Sequence, residues 1–132
     1  MFVRVFLLIY VTALVACTAG SSSDERTPVE VWRAGDDGLT VKVAEAIEQE
    51  ININHRLRLS RGGQPGSLII LVPKNVAWKA MNQKTEVEYT VEYETLDKRR
   101  LGSSSGSCFD DALTLCANDI VATAIVLAGK RH

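Results

Sequence analysis

The sequence is poor in the residues that build metal and nucleic-acid sites. Its 132 residues include only two histidines, and aromatic residues make up 6%. His55 and His132 have no cysteine or second histidine at metal-ligand spacing, so we expect no zinc site and no cofactor. Lysine and arginine number 15 against 16 acidic residues, without a basic stripe interleaved with aromatic residues, so nucleic acid is not expected as a partner.

The sequence also lacks an apolar run long enough to span a bilayer. A spanning helix needs about 18 apolar residues, whereas the run VFLLIYVTALVA has 12 and the run from Ile120 to Ala128 has nine. The first run follows one positive charge, Arg4, and stops at Cys17, which is the layout of a secretory signal peptide. We therefore exclude residues 1–16 from the fold, which leaves a chain long enough for one domain.

The stretch LVAC, from Leu14 to Cys17, resembles the lipobox of bacterial lipoproteins. In that class the peptide before the cysteine is removed, the thiol is diacylated and the new amine usually receives a third chain. The resemblance implies lipidation of Cys17. Thr18, in place of the aspartate that retains enteric lipoproteins in the inner membrane, implies an outer-membrane location. The alternative is an ordinary signal peptide in which Cys17 is incidental.

Residues 17–28 would then form a lipidated, Ser-rich tether, and residues 29–132 a single domain. The tether TAGSSSDERT shows no apolar periodicity, and as a coil of about 11 residues it would span on the order of 18 Å. Two or more acyl chains, at about 0.8 kcal/mol per buried methylene, hold a protein stably on a bilayer.

The other two cysteines, Cys108 and Cys116, form an even pair if Cys17 is lipidated, which favours a disulfide in an oxidising compartment. Within one helix they would lie about 12 Å apart, too far for a bridge. The bridge therefore requires a helix that begins at Asp110 or Asp111, with Cys108 in the incoming strand. Two buried thiols are the alternative.

The first half of the domain combines strand and helix patterns. VEVW predicts a short strand, and Asp37 is a favourable cap for an amphipathic helix whose apolar face holds Leu39, Val43, Ala46 and Ile47. RLRLS alternates as a half-buried strand does, RGGQPG supplies a turn, and the continuously apolar SLIILV predicts a central strand.

The segment TEVEYTVEYET alternates valine or tyrosine with glutamate or threonine and predicts a long strand. A hairpin around residues 82–83 would place Trp78 opposite Val87 and Lys79 opposite Glu86, so that apolar residues and opposite charges face each other.

A second hairpin through DKRR would return LGSSSGSC along the same strand. Three serines would then lie beside the glutamates: Ser103, Ser105 and Ser107. On the inward side, Ser104 is predicted opposite Tyr93 and Gly106 opposite Val91. The inward face of this last strand would therefore carry only small side chains.

The segment FDDALTLCANDIVATAIVLAG has apolar residues at helical spacing and predicts a buried helix. The element order indicates an α+β fold, a two-layer sandwich in which a mixed, mostly antiparallel sheet of four or five strands carries both helices on one face. This order is similar to that of small envelope lipoproteins and domains such as LptE and the amino-terminal domain of TolB. No motif accompanies the similarity, and no functional residue is transferred from it.

The opposite face of the sheet is expected to carry a candidate partner-binding surface. It consists of charged residues from several predicted strands: Arg56, Arg58, Lys79, Glu86, Glu88, Glu92 and Glu94. A charged row on an open sheet face favours docking by electrostatic complementarity, and an ordinary solvated face is the alternative.

Two further patterns have both a chemical and a structural explanation. Asp110 and Asp111 resemble a paired-carboxylate site, but adjacent acids before an apolar helical run are typical of a helix cap. GSSSGS has neither the lysine of a phosphate-binding loop nor the spacing of a nucleophile elbow, which favours an edge strand or a loop.

These patterns predict a non-enzymatic outer-membrane lipoprotein that faces the periplasm. Its partners would be the membrane, through the lipid anchor, and an envelope protein that it serves as an assembly or accessory module. The alternative is an envelope inhibitor or ligand-sequestering lipoprotein that acts through a Ser-rich loop at residues 103–107. An enzyme is a third hypothesis, for which no catalytic residue is assigned.

Overall fold

The computed structural model of the protein describes residues 25–130. The expected signal peptide (residues 1–16), the lipidation site Cys17 and the tether up to residue 24 lie outside the described residues. In chain order the elements are β1 (Thr27–Arg33), α1 (Gly38–Asn52), β2 (Leu57–Leu59), β3 (Leu68–Val72), β4 (Ala77–Met81), β5 (Lys84–Thr95), β6 (Arg100–Phe109) and α2 (Leu113–Gly129).

All the strands form one mixed sheet. β1 pairs in parallel with β2 and with β3, and the pairs of β5 with β3, β4 and β6 are antiparallel. Since β6 pairs with most of β5, β3 and β4 must share the other edge of β5. The predicted α+β class is confirmed. The sheet has six strands where four or five were expected, because both short segments, β2 and β4, join it.

The hydrophobic core lies between one face of the sheet and the two helices, which contact each other. Large side chains that are fully buried come from both layers: Val29, Leu68, Ile70, Val87 and Tyr93 from the sheet, and Val43, Ile47, Ile51 and Ile120 from the helices. Burial of each such side chain contributes about 1.5–3 kcal/mol relative to its exposure. The inward face of β5 supplies the valines and tyrosines, as its alternation predicted.

The start of α1 is tied to the β3–β4 connection. Asp37 caps the helix by accepting from the Thr40 backbone N–H at 2.7 Å, as predicted, and this hydrogen bonding lowers the pKa of Asp37. The Thr40 hydroxyl accepts from the Val76 backbone N–H at 2.9 Å. Asn75 accepts from the backbone N–H groups of Asp36 and Asp37. The loop that enters α1 is therefore held against the sheet.

The β4–β5 hairpin has the predicted register. Trp78 lies opposite Val87 and Lys79 opposite Glu86. The two turn residues, Asn82 and Gln83, have φ angles of +47° and +68°. Positive φ at both central residues matches the right-handed twist of the flanking strands.

The β5–β6 pairing differs from the prediction by two residues. Ser104 lies opposite Val91, and Gly106 lies opposite Tyr89. The difference arises because the hairpin turns at residues 96–98, earlier than the predicted turn through DKRR, as the hydrogen bonds from the Thr95 N–H to the Arg99 carbonyl and from the Lys98 N–H to the Thr95 carbonyl show. A bulge between Tyr93 and Glu94 changes the register by one residue. A shift of two leaves every side chain on its predicted face, since side chains alternate with a period of two. The prediction that the odd-numbered serines share the glutamate face is therefore confirmed.

The small inward residues of β6, Ser104 and Gly106, make room for the tyrosines of β5. The Tyr93 hydroxyl donates to the Ile120 carbonyl at 2.9 Å and lies 2.8 Å from the Ser104 hydroxyl oxygen. A Cβ atom at Gly106 would approach the hydroxyl oxygen of Tyr89 to 2.7 Å. Small residues on β6 thus leave room for both rings within the core.

A disulfide joins Cys108 in β6 to Cys116 in α2, with Cα atoms 5.8 Å apart, as predicted. The predicted helix start is wrong. α2 begins at Leu113, and its capping residue Ala112 makes no side-chain cap. The chain must reverse direction between β6 and α2, and Asp110 and Asp111 lie in that turn. The cap interpretation of these two acids is therefore wrong as well.

We expect reduction of the disulfide to lower the free energy of unfolding by about 2–3 kcal/mol, because the bridge closes a short loop in the unfolded chain. Urea unfolding with and without a thiol reductant measures the difference. The double variant Cys108→Ala and Cys116→Ala should match the reduced protein and be insensitive to reductant. Equal stability of the oxidised and reduced protein would contradict the expectation.

We expect Tyr93→Phe to lose about 1 kcal/mol of stability at neutral pH, because removal of the hydroxyl leaves the Ser104 hydroxyl and the Ile120 carbonyl without that hydrogen-bond partner. Burial raises the pKa of Tyr93, so the unfolded chain releases the phenolic proton first and wild-type stability falls as the pH rises above about 10. The variant should lose less stability over that range.

Denaturant titrations at neutral and alkaline pH compare the two proteins. Tyr89→Phe is the matched control, since burial also raises the pKa of Tyr89 but its hydroxyl makes no hydrogen bond within residues 25–130. A neutral-pH loss as large for Tyr89→Phe as for Tyr93→Phe would assign the effect to packing.

Candidate functional site

The candidate site is the row of β5 side chains on the sheet face turned away from the helices. Because Val87, Tyr89, Val91 and Tyr93 point into the core, the alternate residues point outward. They are Glu86, Glu88, Thr90, Glu92 and Glu94. We call these five residues the glutamate row. Successive members lie about 6.8 Å apart along the strand.

Two cations from neighbouring strands contact the row. The Lys79 Nζ atom lies 3.4 Å from a carboxylate oxygen of Glu86 and 3.4 Å from one of Glu88. The hydrogen bond to Glu86 and the charge of that residue raise the pKa of Lys79, and Glu88 adds to both effects. Arg100 approaches Glu92 at 3.8 Å. Three of the four carboxylates of the row, those of Glu86, Glu88 and Glu92, therefore contact a cation from a neighbouring strand.

The serines of β6 border the row on its other side. Ser103 pairs with Glu92, and Ser107 pairs with Glu88. The hydroxyls of Ser105 and Thr90 lie 3.2 Å apart. The expectation of a Ser-rich loop at residues 103–107 is wrong, because backbone pairing with β5 places all five residues within β6. An inhibitor that inserts this segment as a loop loses its structural basis.

The structure brings together five of the seven residues predicted for the partner-binding surface, all on β4 and β5. Arg58 lies on β2, three strand spacings or about 14 Å from β5, and Arg56 precedes β2 at the end of the sheet. The parallel pairing of β2 with the far edge of β1 causes this separation. Arg58 lies on the outer face by alternation with Leu57 and Leu59, as expected, but neither Arg56 nor Arg58 adjoins the glutamate row.

The loop between β2 and β3 covers part of the outer face between these charges. The Gly63 backbone N–H donates to the Glu30 carboxylate at 3.1 Å. Both Glu30 and its neighbour Ile69 are buried although they point away from the helices. The glycines of this loop, Gly62, Gly63 and Gly66, have φ angles between +69° and +81°, which suit glycine and let the chain fold back.

An apolar pair that sequence reasoning missed lies beside the row. The register places Trp32 opposite Leu71 and Leu71 opposite Glu92. Trp32 is 38% exposed. The alternation of VEVW was the available signal, because it puts Trp32 on the outward side once Val29, which is buried, and Val31, which is partly buried, face the core. A partner at the glutamate row would also contact this aromatic surface.

The described residues offer no metal site at the row or elsewhere. Between Glu25 and Lys130, no three His, Cys, Asp or Glu side chains are close enough to hold a metal ion. Two open clefts, of about 580 and 420 Å³, lie at the end of the sheet where β1 begins. The glutamate row lines neither of them. Its geometry suits a docking partner that carries positive charge and an apolar group.

None of the helices within residues 25–130 has the length and apolar character needed to cross a membrane.

No known protein-family model matches the sequence, and no curated protein sequence matches it. Solved structures do share its fold. A PelC dodecamer from Paraburkholderia phytofirmans superimposes with a TM-score of 0.51 at 12% identity, over 82% of this chain and 91% of the other. A dodecamer of a PelC point variant gives a TM-score of 0.53 at 12% identity, over 79% and 89%.

A minor lipoprotein from Acinetobacter baumannii superimposes with a TM-score of 0.48 at 8% identity, over 74% of this chain and 92% of the other. That score is too low to support an argument. The PelC structures establish similarity of fold, and at 12% identity they establish no more than that.

Proposed function

We propose that this protein is a lipoprotein of the outer membrane that faces the periplasm and binds another envelope component as a non-enzymatic assembly or accessory module. The lipobox-like LVAC, which ends at Cys17 and is followed by a polar segment, is the observation that carries the proposal. The domain begins only a few residues later, with β1 at Thr27.

The anchor would hold the domain close to the bilayer. Cys17 and Glu25 are eight residues apart, and a fully extended chain of that length spans at most about 28 Å. A partner that shares the same membrane would therefore meet the domain at a high local concentration, so a surface of moderate intrinsic affinity is sufficient for binding.

The glutamate row and Trp32 supply such a surface. Glu88 is half exposed and Glu92 about a quarter exposed, so their carboxylates are accessible to a cationic partner. Trp32 adds an aromatic group of the kind enriched where proteins bind one another. Complementary charge would govern the association rate and the choice of partner. PelC, which shares the fold, forms a dodecamer. A second copy of this chain is therefore one candidate partner, which the capture experiment must distinguish from a different protein.

We expect the protein extracted from membranes with detergent to begin at an acylated Cys17. Intact mass spectrometry before and after thiol reduction tests this, and reduction should add two hydrogens for the Cys108–Cys116 bridge. Cys17→Ser is the control and should carry no acyl chain. A chain that begins at another residue without acylation would contradict the anchor and point to a secreted domain.

We expect Glu88→Lys combined with Glu92→Lys to reduce crosslinked capture of the partner in native membranes by at least about tenfold, because two attractive contacts become repulsive. The matched control, Glu45→Lys with Asp119→Lys, makes the same change in net charge on the exposed side of the helices. Thermal unfolding verifies that both variants fold.

Two results would count against the glutamate row. Undiminished capture by the Glu88 and Glu92 variant would exclude the row as the docking surface. Equal losses in both variants would show that net charge, and not this surface, controls capture. The mass of the crosslinked product distinguishes a second copy of the chain from a different envelope protein.

A further inference from the structure

The end of the sheet at which β1 begins is strongly basic. Four segments meet there, because β1, β2 and β6 start and β5, α1 and α2 finish at this end: residues 25–27, 53–57, 96–100 and 129–130. We call them together the basic end. Their lysine and arginine side chains are all exposed and come from different elements: Arg26, Arg56, Lys98, Arg99, Arg100 and Lys130.

Acidic residues neutralise only part of this charge, since Arg100 lies 3.8 Å from Glu92 of the glutamate row. The same segments contain two acids, Glu25 and Asp97. Asp97 accepts a hydrogen bond from the Thr95 hydroxyl, which lowers the pKa of Asp97, with a smaller contribution from the charge of Arg99. The carboxylate of Asp97 is thus held within its own turn. Exposed cations outnumber acids by about three to one at this end of a chain whose overall net charge is −1.

An exposed apolar side chain accompanies the cations. Ile53 caps the C-terminal end of α1 and is 71% exposed. It comes directly before the segment that contains His55 and Arg56. An aliphatic side chain bordered by cations is the arrangement by which proteins bind the interface of an anionic bilayer, with the apolar group in the acyl boundary and the cations at the phosphates.

The chain leaves the described domain at this same end. Glu25 and Arg26 belong to the basic end, and Cys17 precedes Glu25 by eight residues, which reach at most about 28 Å. If Cys17 is acylated, as proposed above, no other end of the domain starts closer to the lipid. The binding partner of the basic end is therefore the membrane surface in which the acyl chains of Cys17 would be inserted.

We propose that the basic end binds anionic phospholipid headgroups directly, with Ile53 at the acyl boundary. The inference rests on the proposed lipid anchor and adds a second membrane contact to it. Because β5 ends here and its length extends away from the basic end, the contact would set the strands upright on the bilayer. The glutamate row would then face sideways into the periplasm, where a partner can reach it.

Fluorescence quenching of the acylated protein in vesicles tests this. The reporter is Ile53→Trp, with Trp32→Phe and Trp78→Phe to remove the native tryptophans. Vesicles contain brominated phosphatidylcholine, either alone or with about 30% phosphatidylglycerol. We expect strong quenching only in the anionic vesicles, and its loss at about 0.5 M NaCl, where the Debye length is roughly 4 Å. Leu115→Trp, at the opposite end and also exposed, is the matched reporter and should remain unquenched.

Charge reversal at the basic end supplies the second readout. With the Ile53→Trp reporter, Arg56→Glu and Lys130→Glu together should lower the ratio of docked to undocked protein by about 25-fold or more, since each cation near an anionic surface contributes about fivefold. Lys42→Glu with Lys74→Glu makes the same change in net charge away from this end and should leave docking unchanged.

Three results would overturn the inference. The first is equal quenching in neutral and anionic vesicles, and the second is an equal loss of docking in the two charge-reversal variants. The third is that inorganic phosphate releases more protein from the vesicles than NaCl does at equal ionic strength. The last result would assign the cations to a site for a single phosphate group. If mass spectrometry shows Cys17 unacylated, the anchor fails separately. Co-sedimentation of that same protein with the two kinds of vesicle then decides whether the basic end binds anionic lipid without an anchor.

Discussion

The hydrogen bonds along both edges of β5 are the interactions on which the rest of the structure depends. One edge holds β3 and β4, and through β3 it holds β1 and β2. The other edge holds β6. Because side chains alternate across this strand, its inward residues build the centre of the core while its outward residues form the glutamate row. The core and the candidate surface are therefore positioned by the same backbone pairing.

The contact between β6 and α2 shows how small residues support that arrangement. Gly106 and Ser104 leave space for the rings of Tyr89 and Tyr93, and the Tyr93 hydroxyl reaches the Ile120 carbonyl of α2. The disulfide then fixes the start of α2 to the end of β6. A serine-rich strand on the sheet edge is thus explained by packing on its inward side, while its outward serines remain beside the glutamates.

Charge is separated within the domain although the total nearly cancels. Acidic side chains line the outer face of β5, and exposed lysines and arginines gather at the end where β1 begins. In the proposed function the two regions have different partners, a protein at the glutamate row and lipid at the basic end. Their placement at right angles would let one membrane-attached domain hold its docking surface in a constant orientation.

The sequence by itself determined the features that depend on neighbouring residues. The periods of two and 3.6 residues placed the strands and helices, and Asp37 marked the start of α1. Complementary side chains on either side of residues 82–83 predicted the β4–β5 register. The pairing of Cys108 with Cys116 followed from the assignment of Cys17 to the lipid anchor, which leaves an even pair, and it required a chain reversal between the two cysteines. The lipobox resemblance of LVAC is likewise local and stands without the fold.

Only the tertiary structure decided how distant segments meet. The parallel crossover put β2 on the far edge of β1, so that Arg56 and Arg58 do not adjoin the glutamate row. The pairing of β1 with β3 placed Trp32 opposite Leu71, which lies next to the row. The two-residue difference in the β6 register came from an earlier hairpin turn, at residues 96–98. The start of α2 at Leu113 came from the length of chain needed for the turn before the helix. Periodicity assigns each side chain to a face, but the strand order that sets its neighbours depends on pairing between residues far apart in the chain.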